Sequence, residues 1–197
     1  MSQINTIKNS AFHKLYKATI LPRAQKKFDL LMPLLLPKSS VADIGCGNGG
    51  LGFLLIKAGF NVKGFDIVEN SFFDELKPTI FNGKEIKCEQ KFDYALLITV
   101  LHHTTNQKEL LLEAKRIGKT IIVMEDVFTH KMGEKITHFT DSLVNFEFKG
   151  HPHSTRTKAN WEAFFNELGF VLIKTINTRT LLFFRQVIFV LEPKLDQ

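Results

Sequence analysis

A glycine cluster directly after a short apolar strand constrains the fold of this chain more than any other feature of the sequence. The strand is predicted at residues 41–44, and the cluster at 45–50 contains the pattern Gly-x-Gly-x-x-Gly. Such glycines let the backbone turn sharply and approach a ligand, and the following helix presents unpaired N–H groups. A second strand, predicted at 61–66, ends on Asp66, 21 residues after Gly45. This order completes a βαβ unit and predicts a parallel pair with a right-handed crossover.

Predicted strands and helices alternate along the rest of the chain. Continuous apolar runs at residues 94–99 and 120–124 are typical of strands that are buried on both faces. Two β-rich runs at 170–176 and 181–191 are joined by a short polar turn, so we expect antiparallel neighbours. The other predicted elements are a strand at 79–82, a helix from Leu110 to Ile117, a long helix at 133–148 and a helix from Trp161 to Leu168.

The excess of basic residues lies entirely in the N-terminal segment. The chain has a net charge of +6, and residues 1–38 hold seven basic side chains against one acid. The apolar spacing of Phe28, Leu31, Met32 and Leu35 predicts an amphipathic helix over 5–36. Pro22 suits a helix start, and Pro33 predicts a kink or an early stop. Such a basic surface is compatible with contact to anionic partners or with a solvated helix face.

The composition favours a reducing compartment and argues against a membrane-spanning or secreted protein. Cys46 and Cys88 are too few for a disulfide framework, so a reducing compartment is expected. No apolar run approaches the ~20 residues of a membrane span, and the first 30 residues contain no apolar signal core. We therefore expect a cytoplasmic protein without membrane association.

The strand-end acids restrict the choice of ligand. A carboxylate at Asp66 can accept from both hydroxyls of a ribose, which predicts an adenosine-containing ligand. The glycine pattern does not separate a nicotinamide cofactor from S-adenosylmethionine. Asp43, inside the apolar strand, would repel a pyrophosphate and suits a ligand with an ammonium and a sulfonium group. The short chain also leaves no room for a separate dehydrogenase substrate domain.

Three motifs resemble those of class I S-adenosylmethionine-dependent methyltransferases. Val-Ala-Asp-Ile-Gly-Cys-Gly-Asn-Gly at 41–49 resembles their first motif, Gly-Phe-Asp-Ile at 64–67 their second, and residues 91–103 their fourth-strand motif. The resemblance implies an α/β fold with a Rossmann-like, doubly wound, seven-stranded sheet, mostly parallel with an antiparallel last strand, preceded by N-terminal helices. We expect one domain over 1–197, formed by a helical lid at 1–38 and a catalytic core at 39–197.

The resemblance implies that S-adenosyl-L-methionine, with S-adenosyl-L-homocysteine as product, binds at the strand ends. It implies that Asp66 binds the ribose, Ile67 lies against the adenine, and Asn82 accepts from the adenine amino group. Asp43 would anchor the loop or the ammonium group, and Thr99 would lie near the methionine moiety. The implied cofactor-binding set is Asp43, Gly45, Gly47, Asp66, Ile67, Asn82 and Thr99.

Candidate catalytic residues follow the fourth and fifth predicted strands. His102 or His103 could orient or deprotonate an acceptor, since histidine titrates near neutrality; alternatively they contact the cofactor or cap the next helix. Glu125 and Asp126 are predicted to follow strand five and to face the same rim, where one could hold an amine or cap a helix. The candidate catalytic set is His102, His103 and Asp126.

Polar and aromatic residues in the second half of the chain allow two further interpretations. Asp141 and Asn145 share a face of the predicted long helix, which lines a substrate pocket or is simply solvated. Phe146, Phe148 and the loop at 151–153 would complete such a pocket. A metal site could use His102, His103, His151, His153 and Asp126. Because no cysteine pair or His-x-x-x-His pattern supports that site, we predict no metal.

Three functions compete. We predict a methyltransferase that acts on a small-molecule acceptor, as a monomer or homodimer, because the chain lacks the Asn/Asp-Pro-Pro-Tyr/Phe run of many enzymes that methylate nucleic-acid bases or glutamine. The alternatives are an RNA or protein methyltransferase that docks through its basic N-terminal segment and a non-catalytic, cofactor-binding methyltransferase-like protein. If the segment is a lid, Arg23 or a neighbouring lysine faces an anionic group.

Overall fold

Helices cover both faces of a seven-stranded sheet in the computed structural model, which describes residues 11–127, 156–179 and 185–194. The described helices are α1 (Ala11–Leu31), α2 (Gly50–Lys57), α3 (Gln107–Ile117) and α4 (Lys158–Glu167). The strands are β1 (Ser40–Ile44), β2 (Asn61–Asp66), β3 (Thr79–Ile80), β4 (Phe92–Ile98), β5 (Gly118–Val127), β6 (Phe170–Arg179) and β7 (Arg185–Pro193). None of these helices is long and apolar enough to cross a membrane.

The strand order is β3-β2-β1-β4-β5-β7-β6. The first five strands pair in parallel, whereas β7 is antiparallel to both of its neighbours. The predicted fold class, including the antiparallel last strand, is therefore confirmed. The strand order reverses between β1 and β4, and in sheets of this kind ligands bind at the carboxyl ends of the strands beside such a reversal.

Two apolar layers sandwich the sheet. On one face, α1 and α2 place Leu31 and Leu55 against β4 and β5. On the other face, α3 and α4 bury Leu111 and Trp161 against the same strands. The runs in β4 and β5 that contact both layers are buried, as predicted from their continuous apolar sequence.

The predicted role of Pro22 is wrong. Helix α1 runs through Pro22 without a break and ends at Leu31, where a 3-10 turn that contains Pro33 begins. The expectation of an early stop at Pro33 is confirmed. Pro22 is exposed, and the buried residues Ile20 and Ala24 on either side of it pack against α2, so tertiary contacts outweigh the backbone hydrogen bond that proline removes.

Most strand bounds differ from those predicted by a few residues, and in β3 and β5 the difference changes the place of candidate site residues. β3 ends at Ile80, because the Asn82 side chain caps a turn in place of strand pairing. β5 continues to Val127, so Glu125 and Asp126 lie within the strand and do not follow it. Antiparallel pairing with β7 extends β5 beyond its apolar run. The predicted helix at 133–148, with Asp141, Asn145, Phe146 and Phe148, lies outside the described residues, as does the loop with His151 and His153.

Candidate functional site

The loop after β1 turns at Gly45 and is tied to the end of β2. The Gly45 N–H donates to the Phe65 carbonyl oxygen over 2.8 Å. With φ at +73°, Gly45 adopts the left-handed region that favours glycine. A Cβ atom here would lie 2.3 Å from Cγ2 of Val100. Glycine therefore lets the loop lie directly against the turn after β4.

Gly47 forms the open front of the same loop. Its φ is +52°, and a Cβ atom at this position would meet no atom of the described residues within 4 Å. The Gly47 N–H donates over 2.7 Å to Oδ2 of Asp66. The loop thus offers free volume beside a carboxylate whose position is fixed by a backbone hydrogen bond.

Asp66 is the central carboxylate at the end of β2. It is 8% exposed, and its Oδ1 accepts from the backbone N–H groups of Ile67 (2.7 Å) and Val68 (3.3 Å). Together with Gly47, three N–H groups orient the carboxylate. An ionised carboxylate has about four acceptor sites, so this arrangement leaves acceptor capacity for a ligand hydroxyl.

An apolar surface lies next to Asp66. Ile67 is 55% exposed, although it directly follows a buried strand end. A Cβ atom at Gly83 would lie 3.3 Å from Ile67 Cγ2 and 3.8 Å from the Asn106 amide nitrogen. Asn106, which the sequence interpretation did not single out, therefore adds an amide to this surface. The Asn82 Oδ1 accepts from the N–H groups of Lys84 and Glu85 (2.9 and 2.8 Å) and shapes the turn that contains Gly83.

Asp43 is buried beneath the glycine loop at 2% exposure. Its Oδ2 accepts no hydrogen bond within the described part of the chain. Burial raises the pKa of Asp43 to about 7; the positive charge of Lys27 acts in the opposite direction, and the nearby Asp66 adds to the increase. A buried, under-satisfied carboxylate of this kind fits a cationic group bound above it.

The turn after β4 begins with an unusual backbone conformation. Thr99 has φ at +57°, a region that β-branched residues rarely adopt. Its N–H donates to the Met124 carbonyl oxygen over 2.7 Å, and its hydroxyl donates to the Ile98 carbonyl. The same hydroxyl oxygen accepts from Lys27 Nζ over 2.7 Å. Local strain of this kind is concentrated at functional sites, where surrounding contacts maintain it.

Glu125 holds the rest of this turn from inside β5. Its Oε1 accepts from the N–H groups of Val100 (3.0 Å) and Leu101 (2.7 Å), and its Oε2 lies 2.5 Å from His102 Nδ1. Glu125 is 0% exposed and His102 is also buried. The His103 ring contacts that of His102, with centroids 4.0 Å apart. The two candidate histidines thus sit in a turn held by a buried carboxylate.

A second polar chain leads to the same turn from the end of β5. The Gln107 side chain donates to the Leu101 carbonyl oxygen over 2.8 Å and accepts from the Arg156 guanidinium at 3.2 Å. The guanidinium of Arg156 also lies 4.3 Å from the centroid of the Phe164 ring. Sequence reasoning missed Arg156 and Gln107, because neither belongs to a motif. Asp126 is half-buried in β5, opposite Gln186 of β7.

No group of three or more histidine, cysteine or acidic residues is arranged to hold a metal ion within the described ranges. The considered set of His102, His103, His151, His153 and Asp126 extends outside those ranges. Cys46 and Cys88 are both free thiols, and burial raises the pKa of Cys46 above its usual value. The prediction that no metal takes part therefore stays a prediction.

The structure brings most of the predicted cofactor-binding residues to one edge of the sheet. Asp43 and Gly45 lie at the end of β1, Asp66 and Ile67 at the end of β2, and Thr99 at the end of β4. This edge combines free volume, an oriented carboxylate, an exposed apolar side chain and an under-satisfied buried acid. Such a set fits a ligand that has hydroxyl groups, an apolar ring and a positive charge.

Comparisons with known proteins agree with this arrangement. A family model described as the methyltransferase domain matches residues 16–175, whereas no curated protein matches the chain. A SAM-dependent methyltransferase from Methanosarcina mazei has a TM-score of 0.69 at 14% identity, with 85% of this chain and 98% of that one covered. Magnesium protoporphyrin IX methyltransferase from Synechocystis, solved with bound SAH, has a TM-score of 0.63 at 19% identity, with coverage of 91% and 84%. A protein from Pyrococcus horikoshii has a TM-score of 0.66 at 20% identity, with coverage of 95% and 93%.

Identities this low establish similarity of fold alone, while the family model establishes kinship because it spans most of the chain. The seven-stranded sheet with its antiparallel β7 and the glycine loop between β1 and α2 agree with that kinship. The chain therefore belongs to the methyltransferase-domain family and has the class I methyltransferase fold.

Proposed function

We propose that this protein is an S-adenosylmethionine-dependent methyltransferase that transfers the methyl group to a small-molecule acceptor. The observation that carries the proposal is the hydrogen bond between Gly47 and Asp66. It fixes a carboxylate beside free volume at the edge of the sheet where ligands of such folds bind. The neighbour from Synechocystis, which is a methyltransferase solved with bound SAH, supports the same choice of cofactor.

Each end of the cofactor has partners of suitable chemistry. Asp66 accepts from a ribose hydroxyl, and the exposed side chain of Ile67 contacts the adenine. Asn82 shapes the adenine pocket through the turn that its side chain caps. The free volume at Gly47 admits the ribose and methionyl portion, and the buried acid Asp43 favours the positively charged methionyl end. Thr99 completes that end of the pocket.

When bound, the cofactor supplies a methyl group on a sulfonium, which is already activated for in-line displacement. The protein's contribution is then alignment of the acceptor and exclusion of water. We assign His102, His103 and Asp126 to the acceptor side of the site, where they orient the acceptor or accept its proton. Glu125 holds the Nδ1 of the buried His102 and so fixes the orientation of its ring.

The N-terminal helix and the catalytic core form one domain in this proposal. Residues 1–38 act as a lid over the catalytic core at 39–197, within one domain. The free thiols Cys46 and Cys88 are consistent with a reducing, cytoplasmic location. We propose that the protein acts as a monomer or homodimer.

Calorimetry with S-adenosylhomocysteine tests cofactor binding. Asp66→Ala removes the proposed ribose acceptor and is expected to lower the affinity by about 10- to 100-fold, since a charge-assisted hydrogen bond to the ligand is lost. Glu89→Ala, at an exposed acid away from this edge, should bind like the wild-type protein. Thermal melts of both variants separate lost binding from lost folding. Failure of the folded wild-type protein to bind would refute the proposal.

The acceptor class requires a separate experiment. The protein is incubated with S-adenosylmethionine carrying a tritiated methyl group and with a cell extract divided into small-molecule, RNA and protein fractions. The proposal expects label in the small-molecule fraction. Label in RNA or protein would replace it with the docking-arm alternative, and label in no fraction would favour the non-catalytic alternative.

A further inference from the structure

Arg156 is placed beside the end of β5 by an isolated parallel bridge to Val127. At Val127 the other edge of β5 pairs with Arg185 of β7, so Arg156 lies on the edge that faces β4. The last residue pair between β4 and β5 is Ile98 with Met124, three residues before Val127. At about 3.3 Å per residue, Arg156 lies roughly 10 Å beyond that pair, beside the turn that follows β4.

The guanidinium of Arg156 is held by a hydrogen-bonding amide and by two aromatic rings. Its Nε and Nη2 donate to Oε1 of Gln107 over 3.3 and 3.2 Å. Gln107 in turn donates to the Leu101 carbonyl oxygen in the turn after β4. The central carbon of the guanidinium lies 4.3 Å from the centroid of the Phe164 ring and 5.5 Å from that of Trp161. These contacts fix the plane of the group and tie it to the turn that contains the two candidate histidines.

No carboxylate neutralises this cation among the described residues. The partners of Arg156 there are all neutral, and its Nη1 has no acceptor within the same ranges. By contrast, Arg116 pairs with Glu113 at 2.7 Å. A guanidinium stays charged in proteins, and its planar fork of donors matches a carboxylate or a phosphate. A half-buried cation held in this way therefore suits an anionic ligand.

We propose that Arg156 binds an oxyanion of the methyl acceptor, a carboxylate or a phosphate, and so makes the enzyme specific for acceptors that carry such a group. The inference rests on the proposed function, because it names the substrate class for the same site. The turn beside Arg156 contains His102 and His103, which that proposal assigns to the acceptor. An oxyanion held here places the acceptor at the edge of the sheet where the methyl group is presented.

Arg185 supplies a matched control for the variants. It pairs with Val127 on the other edge of β5 and is exposed. Replacing either arginine by methionine removes one positive charge at the same level of the sheet. A general change in electrostatic attraction would affect both variants equally, whereas the proposal expects a loss in Arg156→Met alone.

The first experiment divides the small-molecule fraction of a cell extract by charge. At about pH 11 ammonium groups have lost their proton, so a strong anion exchanger retains molecules with a carboxylate or a phosphate, zwitterions included. The retained and unretained pools are returned to neutral pH and incubated separately with the protein and S-adenosylmethionine carrying a tritiated methyl group. Label in the retained pool is expected. Treating that pool beforehand with phosphatase and phosphodiesterase distinguishes the two oxyanions, because lost label assigns a phosphate and persistent label a carboxylate.

The two possible failures of this experiment are distinguishable. Label confined to the unretained pool would overturn the inference and leave the proposed methyl transfer to a small molecule intact. Label in neither pool would refute the proposed function itself.

The second experiment measures the rate of label transfer at limiting concentrations of the retained pool, which reports kcat/KM. Arg156→Met is expected to lower this rate by about 10- to 100-fold, in line with the strength of hydrogen bonds to a charged group. Arg156→Lys keeps the charge but not the paired donors, so its loss should be smaller. Arg185→Met should stay within about 2-fold of wild type, because exposed charges are screened by salt.

Calorimetry with S-adenosylhomocysteine should give the wild-type affinity for every variant, which shows that the fold and the cofactor site are intact. Equal rates in Arg156→Met and Arg185→Met would overturn the inference. A loss in Arg156→Met that is equally large at high pool concentration would also overturn it, because a contact that binds the acceptor raises KM. If Arg156→Met does not bind S-adenosylhomocysteine, Arg156→Gln, which keeps a donor for Gln107, is measured by the same criteria.

Discussion

Two carboxylates at the same edge of the sheet make similar hydrogen bonds in different surroundings. Asp66 accepts from three backbone N–H groups around the ends of β1 and β2, and Glu125 accepts from two backbone N–H groups and a histidine ring in the turn after β4. Asp66 borders free volume at Gly47, whereas Glu125 is completely buried. The same bonding pattern therefore suits the proposed binding role of Asp66, which faces an open site, and holds a backbone turn in place at the buried Glu125.

The largest expected effect on stability comes from removing the buried carboxylate of Glu125. Glu125→Ala leaves two backbone donors and His102 buried without their acceptor, so the free energy of unfolding should fall by about 3–5 kcal/mol. Urea denaturation measures this loss. Glu192→Ala, at an exposed acid of the adjacent β7, should cost less than about 0.5 kcal/mol. If Glu125→Ala were as stable as the Glu192 variant, Glu125 would not hold the turn.

The buried carboxyl group of Asp43 predicts that the free energy of unfolding depends on pH. Burial raises the pKa of Asp43 from 3.8 to about 7, so the folded protein retains a proton that the unfolded chain releases. This contribution to stability is complete below pH ~4 and is lost as the pH rises to about 7, a loss of up to about 4 kcal/mol. The free energy of unfolding of Asp43→Asn, relative to wild type, should therefore increase between pH 4.5 and 8.

Asp93 provides the control for this pH series. It lies at the opposite edge of the sheet, where hydrogen bonds from Lys119 and Ser40 hold its pKa below the usual value. Its contribution is present above the unfolded-state pKa and is lost only as the pH falls further, outside the range from 4.5 to 8. Asp93→Asn should differ from wild type by a constant amount over that range. A constant difference for Asp43→Asn as well would contradict the raised pKa.

A smaller effect tests whether the volume at Gly47 is used by the ligand. Gly47 and Gly59 both have positive φ, and within the described parts of the chain no atom lies within 4 Å of a Cβ atom built at either position. Alanine at each position should therefore cost a similar 1–2 kcal/mol, approximately, in folding stability. Only Gly47→Ala should also lower the affinity for S-adenosylhomocysteine, by about 10-fold. Equal affinities in the two variants would show that the ligand does not approach Gly47.

The smallest effect is expected at a third turn-capping side chain. Asn82 accepts two backbone hydrogen bonds, as Asp66 and Glu125 do, but it is exposed to solvent. Asn82→Ala should cost about 0.5–1.5 kcal/mol in stability, because water replaces the lost acceptor. The affinity for S-adenosylhomocysteine should change by less than about 3-fold, measured by calorimetry. A loss as large as that of Asp66→Ala would instead assign Asn82 a direct contact with the adenine.

Local sequence signals predicted the surroundings of Asp66 well and those of Glu125 poorly. The glycine spacing and the acid after β2 are neighbours in a βαβ unit, so their geometry follows from short-range turn and strand rules. Glu125 reaches Val100 and His102 only because β4 and β5 pair in the sheet. The extension of β5 to Val127 depends on β7, which lies far along the chain. Sequence patterns contain no record of such pairings, and the predicted position of Glu125 after the strand was wrong for that reason.

The sequence by itself determined the βαβ start, the order of the main elements and the two carboxylates Asp43 and Asp66 at adjacent strand ends. These depend on local periodicity and on the backbone freedom of glycine. Only the tertiary structure decided that helix α1 continues through Pro22, that Glu125 is sealed beneath a turn, and that Lys27 reaches Thr99. Those features arise from packing between residues distant in sequence, where burial and hydrogen bonding outweigh local preferences.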